Sequence, residues 1–304
     1  MPLVPLPHLL AEALAAGYAV GYFEAWNDRS LEAVLDAAEA EHAPVVLGFG
    51  GMMVDGRWLE ERGIAMLGAL GRALAERARV PTSLLFNEAR TLEQALTAVD
   101  AGFNCVLLTT DTMPADAALA ATHTLVERAH AAGAAVEAEL GRLPDAAADG
   151  RETGGEATDP GAAAAFVERT RVDCLAVSIG NVHVKTNGWA TIDSARLEAI
   201  HREVRVPLAV HGGTSFPPRA VPHAVLHGVA KVNVGTALKA DYLAALRETA
   251  SGLPPTPDVH ALMGSHRAGD LCAAAQAALT ARARALIRLY GGSGRTAGSP
   301  EVSR

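Results

Sequence analysis

Short apolar runs alternate with amphipathic segments along almost the whole chain. The runs are rich in Val, Leu and Ala and each follows a short break; eight such stretches occur, at 15–23, 41–49, 78–86, 101–108, 131–140, 170–179, 204–212 and 227–235. Continuous apolar runs of this length are typical of strands buried on both faces, as in parallel sheets. The intervening segments, such as SLEAVLDAAEAE (30–41) and TLEQALTAVDA (91–101), have apolar residues at helical spacing. The pattern therefore predicts eight alternating strands and helices.

Residues typical of helix ends stand between the runs. Thr91 and Gln94 have the spacing of a capping box, and Asp159 precedes Pro160, which favours a helix start at each point. Glycines at positions 17, 102 and 133 stand where helices are expected to end. These signals support the alternation.

Eight strand–helix units predict a closed (β/α)8 barrel, a fold of about 250 residues in its typical form. A doubly wound open sheet is the alternative, and it is disfavoured because no G-x-G-x-x-G follows the first strand. Residues 251–290, which include the strongly helix-forming LCAAAQAALTARARALIRLY, predict a C-terminal helical extension, so we expect one domain over residues 1–290 and a flexible tail over 291–304. The Gly-, Asp- and Ala-rich stretch 141–160, after the fifth strand, is expected to be a lid or a disordered segment.

Composition narrows the class of protein. Half of the 304 residues are apolar and the net charge is −8, which is typical of a soluble globular protein and argues against a nucleic-acid-binding surface. The three cysteines, Cys105, Cys174 and Cys272, are far apart, which fits a reducing compartment better than a disulfide framework. The first residues lack the features of a signal peptide, and no apolar run approaches the ~20 residues that span a bilayer. We expect a cytoplasmic protein with no membrane or nucleic-acid partner.

In a (β/α)8 barrel the active site lies at the carboxyl ends of the strands. The polar residues predicted to lie there are Glu24, Asn87, Glu88, Asp111, Glu139, His183, His211, Asn233 and Thr236. Two of the eleven histidines are in this group, whereas the others fall in helical segments, linkers or termini. A simpler interpretation of both strand-end histidines is that backbone groups satisfy them.

The stretch VHGGTSFP (210–217) is the most specific local signal. A strand delivers His211, and two glycines follow at once, which allows the backbone to approach a ligand and point N–H groups at an anion. Asn233-Val234-Gly235-Thr236 ends the next strand. Because the loops after strands seven and eight often bind phosphate in this fold, the pair predicts a phosphate site. A tight turn without a ligand is the other interpretation.

These residues resemble the class II, metal-dependent, ketose-bisphosphate aldolase family. The resemblance covers nearly the whole chain and rests on the segments AAGYAVGYFEAWNDRSLEAVLDAAEAEHAPVV, VEAELGRL, ATDPGAAAAFVERTRVDCLAVSIGNVH, VPLAVHGGTSFP, VAKVNVGTALKADYLAALRE and IRLYGGSGRTA. It implies a barrel enzyme that holds a divalent metal, with Zn first and Mn, Fe or Co as alternatives. It also implies a phosphorylated sugar as substrate and a homodimer or homotetramer.

The resemblance also implies roles for single residues. His183 and His211 match two metal-binding histidines of the family, and Glu139 matches a glutamate that approaches the metal. The positions that match those holding the substrate's phosphate and ketose end are Gly212, Gly213, Thr214, Asn233 and Thr236.

The third strand departs from the family pattern. Relatives have His-Leu-Asp-His where this chain has Leu85-Phe86-Asn87-Glu88, so an amide replaces the acid/base aspartate and a carboxylate replaces a metal-binding histidine. The turn after the fourth strand, the lid at 144–149, and positions 235 and 237 also differ from the family. The differences cluster around the expected reacting centre.

The altered strand restricts the mechanism. Asn87 cannot act as the base, because an amide does not change protonation near neutral pH. Glu88 is expected to bind the metal with the two histidines; a role as base is the alternative, disfavoured because neighbouring side chains on a strand alternate in direction. The proton carrier is then expected to be Glu139 or Asp111, with Asn87 holding a substrate hydroxyl.

An amine nucleophile is not expected. The only lysines are Lys185, Lys231 and Lys239; we expect Lys231 at the wrong end of the barrel and Lys239 inside the following helix. Lys185, in the loop after His183, is expected to reach a phosphate or a carboxylate of the substrate.

Three functions agree with these residues. The leading hypothesis is a metal-dependent aldolase-type carbon–carbon lyase acting on a phosphorylated ketose or related sugar phosphate, with altered acid/base groups. The second is a non-catalytic barrel that binds a sugar phosphate. The third is an isomerase or epimerase that uses a metal-bound enediolate without breaking a carbon–carbon bond.

Overall fold

A computed structural model describes residues 3–146, 152–183 and 188–296, which fold around a closed barrel of eight parallel strands. The strands follow one another around the barrel in the order β1-β10-β9-β8-β5-β4-β3-β2. They are β1 (Val20–Phe23), β2 (Val45–Gly50), β3 (Thr82–Ala89), β4 (Cys105–Leu108), β5 (Ala135–Leu140), β8 (Cys174–Val177), β9 (Leu208–Val210) and β10 (Val229–Val234). Two further strands, β6 (Asp145–Ala146) and β7 (Glu152–Thr153), pair antiparallel outside the barrel. Each of the eight predicted runs contains or overlaps one barrel strand, and the (β/α)8 prediction is confirmed.

Helices surround the barrel and close one end of it. They are α1 (Leu6–Ala16), α2 (Asp28–Ala40), α3 (Gly56–Trp58), α4 (Ile64–Ala75), α5 (Leu92–Asp100), α6 (Ala115–Ala131), α7 (Pro160–Thr170), α8 (Ser194–Glu203), α9 (Val221–Leu226), α10 (Thr236–Ser251), α11 (Val259–Leu262) and α12 (Ala273–Leu289). A π-helical turn (Leu59–Gly63) joins α3 to α4, and a 3-10 turn (Pro218–Ala220) precedes α9. Within the described ranges, none of these helices is both long and apolar enough to cross a bilayer.

The predicted helix ends occur where the sequence signals place them. The Thr91 side chain accepts a hydrogen bond from the backbone N–H of Gln94 at 3.1 Å, and that of Asp159 accepts one from Ala162 at 2.8 Å. Gly17 ends α1 with φ 69°, a left-handed conformation that glycine adopts without steric cost. Local propensity and the fold therefore agree at these points.

Helix α1 closes the amino end of the barrel, which the sequence pattern did not predict. Leu6, Leu9 and Leu10 are completely buried and belong to the same apolar cluster as inward-facing barrel residues such as Val46 and Leu85. Burial of such side chains stabilises the fold by about 1.5–3 kcal/mol each. This plug makes the opposite, carboxyl end the open mouth.

The C-terminal extension packs on the outside of the barrel. Helix α12 lies against α2 and α10, and its arginines bind Glu41, the residue that ends α2. Residues 291–296 follow α12, and the backbone N–H of Gly294 donates to the carbonyl of Glu41 at 2.8 Å. The rest of the expected tail, 297–304, lies outside the described residues.

The expected lid segment adjoins the barrel mouth. The β6–β7 pair is extended by a bridge between Arg142 and Glu156, and Asp145 bridges to His183. Residues 147–151 of this segment lie outside the described residues. The described part therefore places the segment next to a predicted metal ligand.

Candidate active site

A cavity of about 430 Å³ opens at the carboxyl ends of the barrel strands. All nine polar residues predicted at strand ends line it: Glu24, Asn87, Glu88, Asp111, Glu139, His183, His211, Asn233 and Thr236. The fold thus brings together residues that are more than 200 positions apart in the sequence.

Glu88, His183 and His211 meet on one wall of the cavity. One possible ligand atom from each lies within 4.8 Å of the others. The Nδ1 atom of His211 lies 3.6 Å from Glu88 Oε1 and, within the described ranges, is buried without a hydrogen-bond partner. Two ligands at 2.0–2.1 Å from a tetrahedral Zn²⁺ are separated by about 3.3 Å, close to this spacing. The donor set and its geometry fit a divalent transition metal.

A distortion at the end of β3 brings both Asn87 and Glu88 into the cavity. The pairing of β3 with β4 shifts between Phe86 and Ala89, and Glu88 has φ 57°, which is uncommon for a residue with a side chain. The side chains therefore do not alternate here, and the argument from alternation against the reach of Glu88 was wrong. Backbone strain of this kind costs about 1–3 kcal/mol and is found mostly at functional sites.

A buried network of a hydrogen bond and an ion pair fixes the orientation of the His211 ring. Its Nε2 lies 2.9 Å from Glu137 Oε1, and Glu137 Oε2 lies 2.8 Å from Lys231 Nζ. Lys231 also donates to the side chain of Asn233. A carboxylate that accepts from one imidazole nitrogen fixes the tautomer with the other nitrogen free to bind metal. The network thus orients His211 with its Nδ1 atom towards Glu88.

Charge in this network is strongly coupled. Burial disfavours the charged form of His211, but the hydrogen bond with Glu137 and the Glu88 carboxylate 3.6 Å away outweigh burial and raise the pKa of His211 to about 10, so a metal at Nδ1 would displace a proton. Burial likewise opposes ionisation of Glu137, yet Lys231 and His211 lower its pKa to about 2. Burial and the nearby His211 lower the pKa of His183, which favours the neutral, metal-binding imidazole.

Two loop residues fix the positions of the histidines. The Asn181 side chain donates to the carbonyl of His211 at 2.9 Å, which ties the loop of His183 to the end of β9. Gly212 has φ 68°, and a Cβ atom there would lie 2.3 Å from the carbonyl oxygen of Val182. A glycine is therefore required at position 212, where the loops that carry His183 and His211 cross.

Glu139 lines the same cavity as the Glu88–His183–His211 cluster. Its Oε1 is buried and has no hydrogen-bond partner within the described part of the chain. Burial and the carboxylates of Glu88 and Glu137 raise the pKa of Glu139 to about 7, against the opposing charge of His211. A carboxyl group with such a pKa can both accept and donate a proton near neutral pH. Asp111 is more exposed and faces Arg142, with 3.9 Å between Oδ2 and Nε.

The predicted phosphate loops adjoin each other, but Gly213 has a different role from the one expected. Its backbone N–H donates to the carbonyl of Asn233 at 2.9 Å, so it holds the two loops together instead of facing the cavity. The hydroxyl of Thr214 accepts from the N–H of Ala237 at 3.1 Å. Within residues 3–146, 152–183 and 188–296, the N–H groups of Thr214, Gly235 and Thr236 make no backbone hydrogen bond. Gly235 and Thr236, at the start of α10, and Thr214, in the adjoining loop after β9, are therefore the donors available to an anion.

Lys239 lies inside the helix, as predicted, and its side chain also lines this part of the cavity, which was not predicted. It lies in the first turns of α10 and makes a short ion pair with Glu24 at the end of β1. The Glu24 carboxylate packs against Gly50 and Gly235: Cβ atoms at those glycines would lie 3.0 and 2.5 Å from its oxygens. Burial raises the pKa of Glu24, although Lys239 opposes the shift.

The sequence has two other lysines, Lys185 and Lys231. Lys185 lies outside the described residues. Lys231 was predicted to lie at the amino end of the barrel, but it is completely buried inside the barrel.

The contact between Glu137 and His211 was not predicted from the sequence, although Glu137 and Glu139 stand two apart on β5 and so face the same side.

The closed barrel has at its open end a cavity with side chains that can bind a metal ion, an arrangement found in many enzymes. The chain matches the family described as fructose-bisphosphate aldolase, class II, over residues 4–295. It is 34% identical over 269 residues to a probable fructose-bisphosphate aldolase of Bacillus subtilis, covering 88% of this chain and 93% of that protein. It is 32% identical over 299 residues to the fructose-bisphosphate aldolase of Geobacillus stearothermophilus, covering 98% and 100%. The YdjI aldolase of Escherichia coli K12 has a similar structure, with a TM-score of 0.79, 27% identity, and coverage of 97% of this chain and 99% of that one.

The chain therefore belongs to the class II fructose-bisphosphate aldolase family, a family of metal-dependent aldehyde-lyases. The resemblance inferred from the sequence is confirmed.

Proposed function

We propose that this protein is a metal-dependent aldolase that cleaves a phosphorylated ketose. The observation that carries the proposal is the position of Glu139: a carboxyl group with a pKa of about 7 faces the Glu88–His183–His211 cluster in one cavity. Metal ligands and a proton carrier are the two components that aldol cleavage requires.

The metal would be held by Glu88, His183 and His211, and Zn²⁺ is the first candidate, with Mn²⁺, Fe²⁺ or Co²⁺ as alternatives. When bound, it would supply Lewis-acid polarisation of the substrate carbonyl. The Glu88 carboxylate adds negative charge, which weakens that polarisation relative to a third neutral imidazole. The buried Glu137–Lys231 pair would keep His211 in its binding orientation.

Proton transfer falls to Glu139. In the cleavage direction a base removes the proton from the hydroxyl group next to the bond that breaks. Asn87 cannot do this, but its Oδ1 is buried and has no partner among the described residues, so it can accept a hydrogen bond from a substrate hydroxyl and orient it. Asp111 is the alternative carrier, and its greater exposure makes it the weaker one. Glu88, turned towards His211, is then free to serve as a ligand.

The substrate's phosphate would lie at the start of α10. Unpaired N–H groups and the helix dipole favour an anion there, and Lys239 adds the positive charge. Glu24 holds Lys239 in the structure, so phosphate binding requires that Lys239 exchange one anionic partner for another. Gly212, Thr214, Asn233 and Thr236 complete this side of the cavity.

We also infer a cytoplasmic homo-oligomer, a dimer or tetramer. The three cysteines are all unpaired, which suits a reducing compartment. Leu243, Val259 and Met263 are large apolar side chains that are more than half exposed, which suits contact with another copy. Light scattering during gel filtration measures the assembly directly.

The test is cleavage of a panel of phosphorylated ketoses, starting with fructose 1,6-bisphosphate, by protein reloaded with Zn²⁺, Mn²⁺ or Co²⁺. We expect metal-dependent release of a triose phosphate, abolished by His211→Ala and retained by His123→Ala, a histidine on the outer helix α6. Metal binding without turnover would support the non-catalytic barrel, and products of unchanged carbon number would support an isomerase or epimerase.

A further inference from the structure

A second group of possible metal ligands lies outside the active site. Glu198 is on α8, His223 is on α9, and His227 directly follows α9; one ligand atom from each lies within 4.8 Å of the others. His227 is followed after one residue by β10, at the amino end of that strand. The group therefore lies at the end of the barrel opposite the active-site cavity.

The spacing of these side chains is that of ligands around one ion. His223 and His227 are four residues apart, which places both on one side of the helical turn, with ring centroids 4.2 Å apart. His223 Nε2 lies 3.3 Å from Glu198 Oε1. Two ligands bound at 2.0–2.1 Å to a tetrahedral Zn²⁺ lie about 3.3 Å apart, so this pair already has the required separation.

The hydrogen-bonding state of the two imidazoles also fits. His223 Nε2 is buried and makes no hydrogen bond within the described ranges. It faces an electron-rich carboxylate oxygen, so either a proton or a cation must lie between them. His227 Nδ1 lies 2.9 Å from the carbonyl oxygen of His223, which fixes the tautomer that leaves Nε2 free for a metal.

We propose that Glu198, His223 and His227 form a second site for a divalent transition metal, which links α8 to α9. Two imidazoles and one carboxylate suit Zn²⁺, Co²⁺ or Ni²⁺ better than Mg²⁺ or Ca²⁺. The side chains of Glu198 and His223 are 41% and 36% exposed, so an ion can enter from solvent. His201, one turn after Glu198, has its ring centroid 6.0 Å from that of His227 and is the nearest candidate for a fourth ligand, with water as the alternative.

Such a site acts on stability and not on turnover. An ion that binds only the folded chain stabilises it in proportion to its concentration over the dissociation constant. Because the two groups lie at opposite ends of the barrel, the second site is expected to fill whether or not the cavity holds metal. The inference therefore does not depend on the proposed aldolase activity.

The test uses the full-length chain carrying His183→Ala and His211→Ala, which removes the histidines of the cavity cluster. Equilibrium dialysis against Zn²⁺ should give about one bound ion per chain, and Zn²⁺ should raise the melting temperature. Adding His223→Ala should abolish both effects, whereas adding His123→Ala should change neither. His123 is a matched control because it pairs with Glu127 at 3.5 Å on one helix.

Two results would overturn the proposal: no Zn²⁺ bound in the His183→Ala/His211→Ala background, or equal binding after His223→Ala is added. Should His223→Ala unfold the chain, Glu198→Gln, which keeps the shape of the side chain, must give the same loss of binding. In the otherwise unchanged protein, His223→Ala should lower bound Zn²⁺ from about two ions to about one while leaving the cleavage rate unchanged.

Discussion

Two buried polar clusters, one at each end of the barrel, differ in whether their hydrogen bonds are complete. At the amino end, the Glu41 carboxylate accepts hydrogen bonds from Arg284, Arg288 and Ser293. At the carboxyl end, several buried polar atoms have no hydrogen-bond partner within the described ranges: Asn87 Oδ1, Glu139 Oε1, His211 Nδ1 and Asn233 Nδ2.

We interpret the complete cluster as contributing to stability and the incomplete cluster as contributing to function. An unpaired buried polar atom costs about 1–3 kcal/mol, so a cluster of them indicates that water, an ion or a ligand completes it. The Glu41 cluster at the amino end is complete without a ligand and stabilises the fold, whereas the cluster at the mouth would be completed by the proposed metal and substrate. Changes at the mouth should therefore reduce activity more than stability, and changes at the amino end the reverse. The Glu198–His223–His227 group would be an exception, a ligand site at the stabilising end.

The largest effect is expected for Glu139→Gln. Removal of a general base lowers kcat by about 10²–10⁴-fold, while the melting temperature should not fall, because a buried group of like charge is removed. The pKa of about 7 means that Glu139 is protonated below that pH, so kcat for cleavage in the unchanged protein should fall as the pH drops below about 7. Steady-state kinetics against pH measures both. A larger loss in Asp111→Asn would transfer the role to Asp111.

Glu137→Gln tests whether the hydrogen bond between His211 and Glu137 increases the affinity for metal. Loss of a supporting carboxylate typically weakens metal binding by about 10–100-fold. It also leaves Lys231 without its anionic partner, so the metal-free protein should lose stability. Metal competition and thermal unfolding separate these effects in the pair Glu137→Gln and Glu137→Gln/Lys231→Met. The second variant should regain stability without regaining metal affinity; recovery of both would mean that Glu137 is only structural.

Lys239→Met tests the phosphate end of the cavity. A hydrogen bond to a charged group contributes about 1.5–3 kcal/mol, so KM for a phosphorylated ketose should rise by about 10–100-fold. The value of kcat should change less, because a phosphate contact made equally in the bound substrate and in the transition state affects binding and not the chemical step. Glu24→Gln is the matched variant: it frees Lys239 from its ion pair and should leave KM equal or lower. An unchanged KM in Lys239→Met would exclude the lysine from phosphate binding.

The sequence predicted the fold and the positions of the strand ends because both depend on local patterns. Apolar runs and helix caps repeat along the chain, and the carboxyl end of every barrel strand faces the same cavity. All nine polar residues expected at those ends line it. The closing of the amino end by α1 was not predictable in this way, since it depends on packing against distant strands.

The failures of prediction at the site have a common cause. Alternation along β3 is broken by a shift in pairing and a positive φ at Glu88, neither of which leaves a signal in the sequence. The reach of Lys239 and the contact between Lys231 and Glu137 depend on side chains that cross between elements far apart in the chain. Period-two spacing of Glu137 and Glu139 was the one available signal, and it indicated only a shared face.

Glu41→Gln tests the amino end, and its expected effect is the smallest. The hydrogen bonds from Arg288 lower the pKa of Glu41 to about 2, against burial and with help from Ser293 and Arg284. Loss of the charge should lower the free energy of unfolding by about 1–2 kcal/mol, because the arginines remain partly solvated. The more exposed Asp241–Arg282 pair between α10 and α12 provides the control: Asp241→Asn should cost less than about 1 kcal/mol.

The pH dependence of the Glu41→Gln difference identifies its origin. A carboxyl group whose pKa is lower in the folded state than its ordinary value of 4.5 stabilises the fold above that value, and the contribution is lost as pH falls towards about 2. The stability gap between Glu41→Gln and the unchanged protein, measured by denaturant unfolding, should therefore be full near neutral pH and shrink under acid. A gap that persists at low pH would mean that shape at Glu41, and not its charge, holds α2 to α12. A loss of cleavage activity in the folded variant would contradict the division between the two ends of the barrel, since Glu41 lies at the end remote from the cavity.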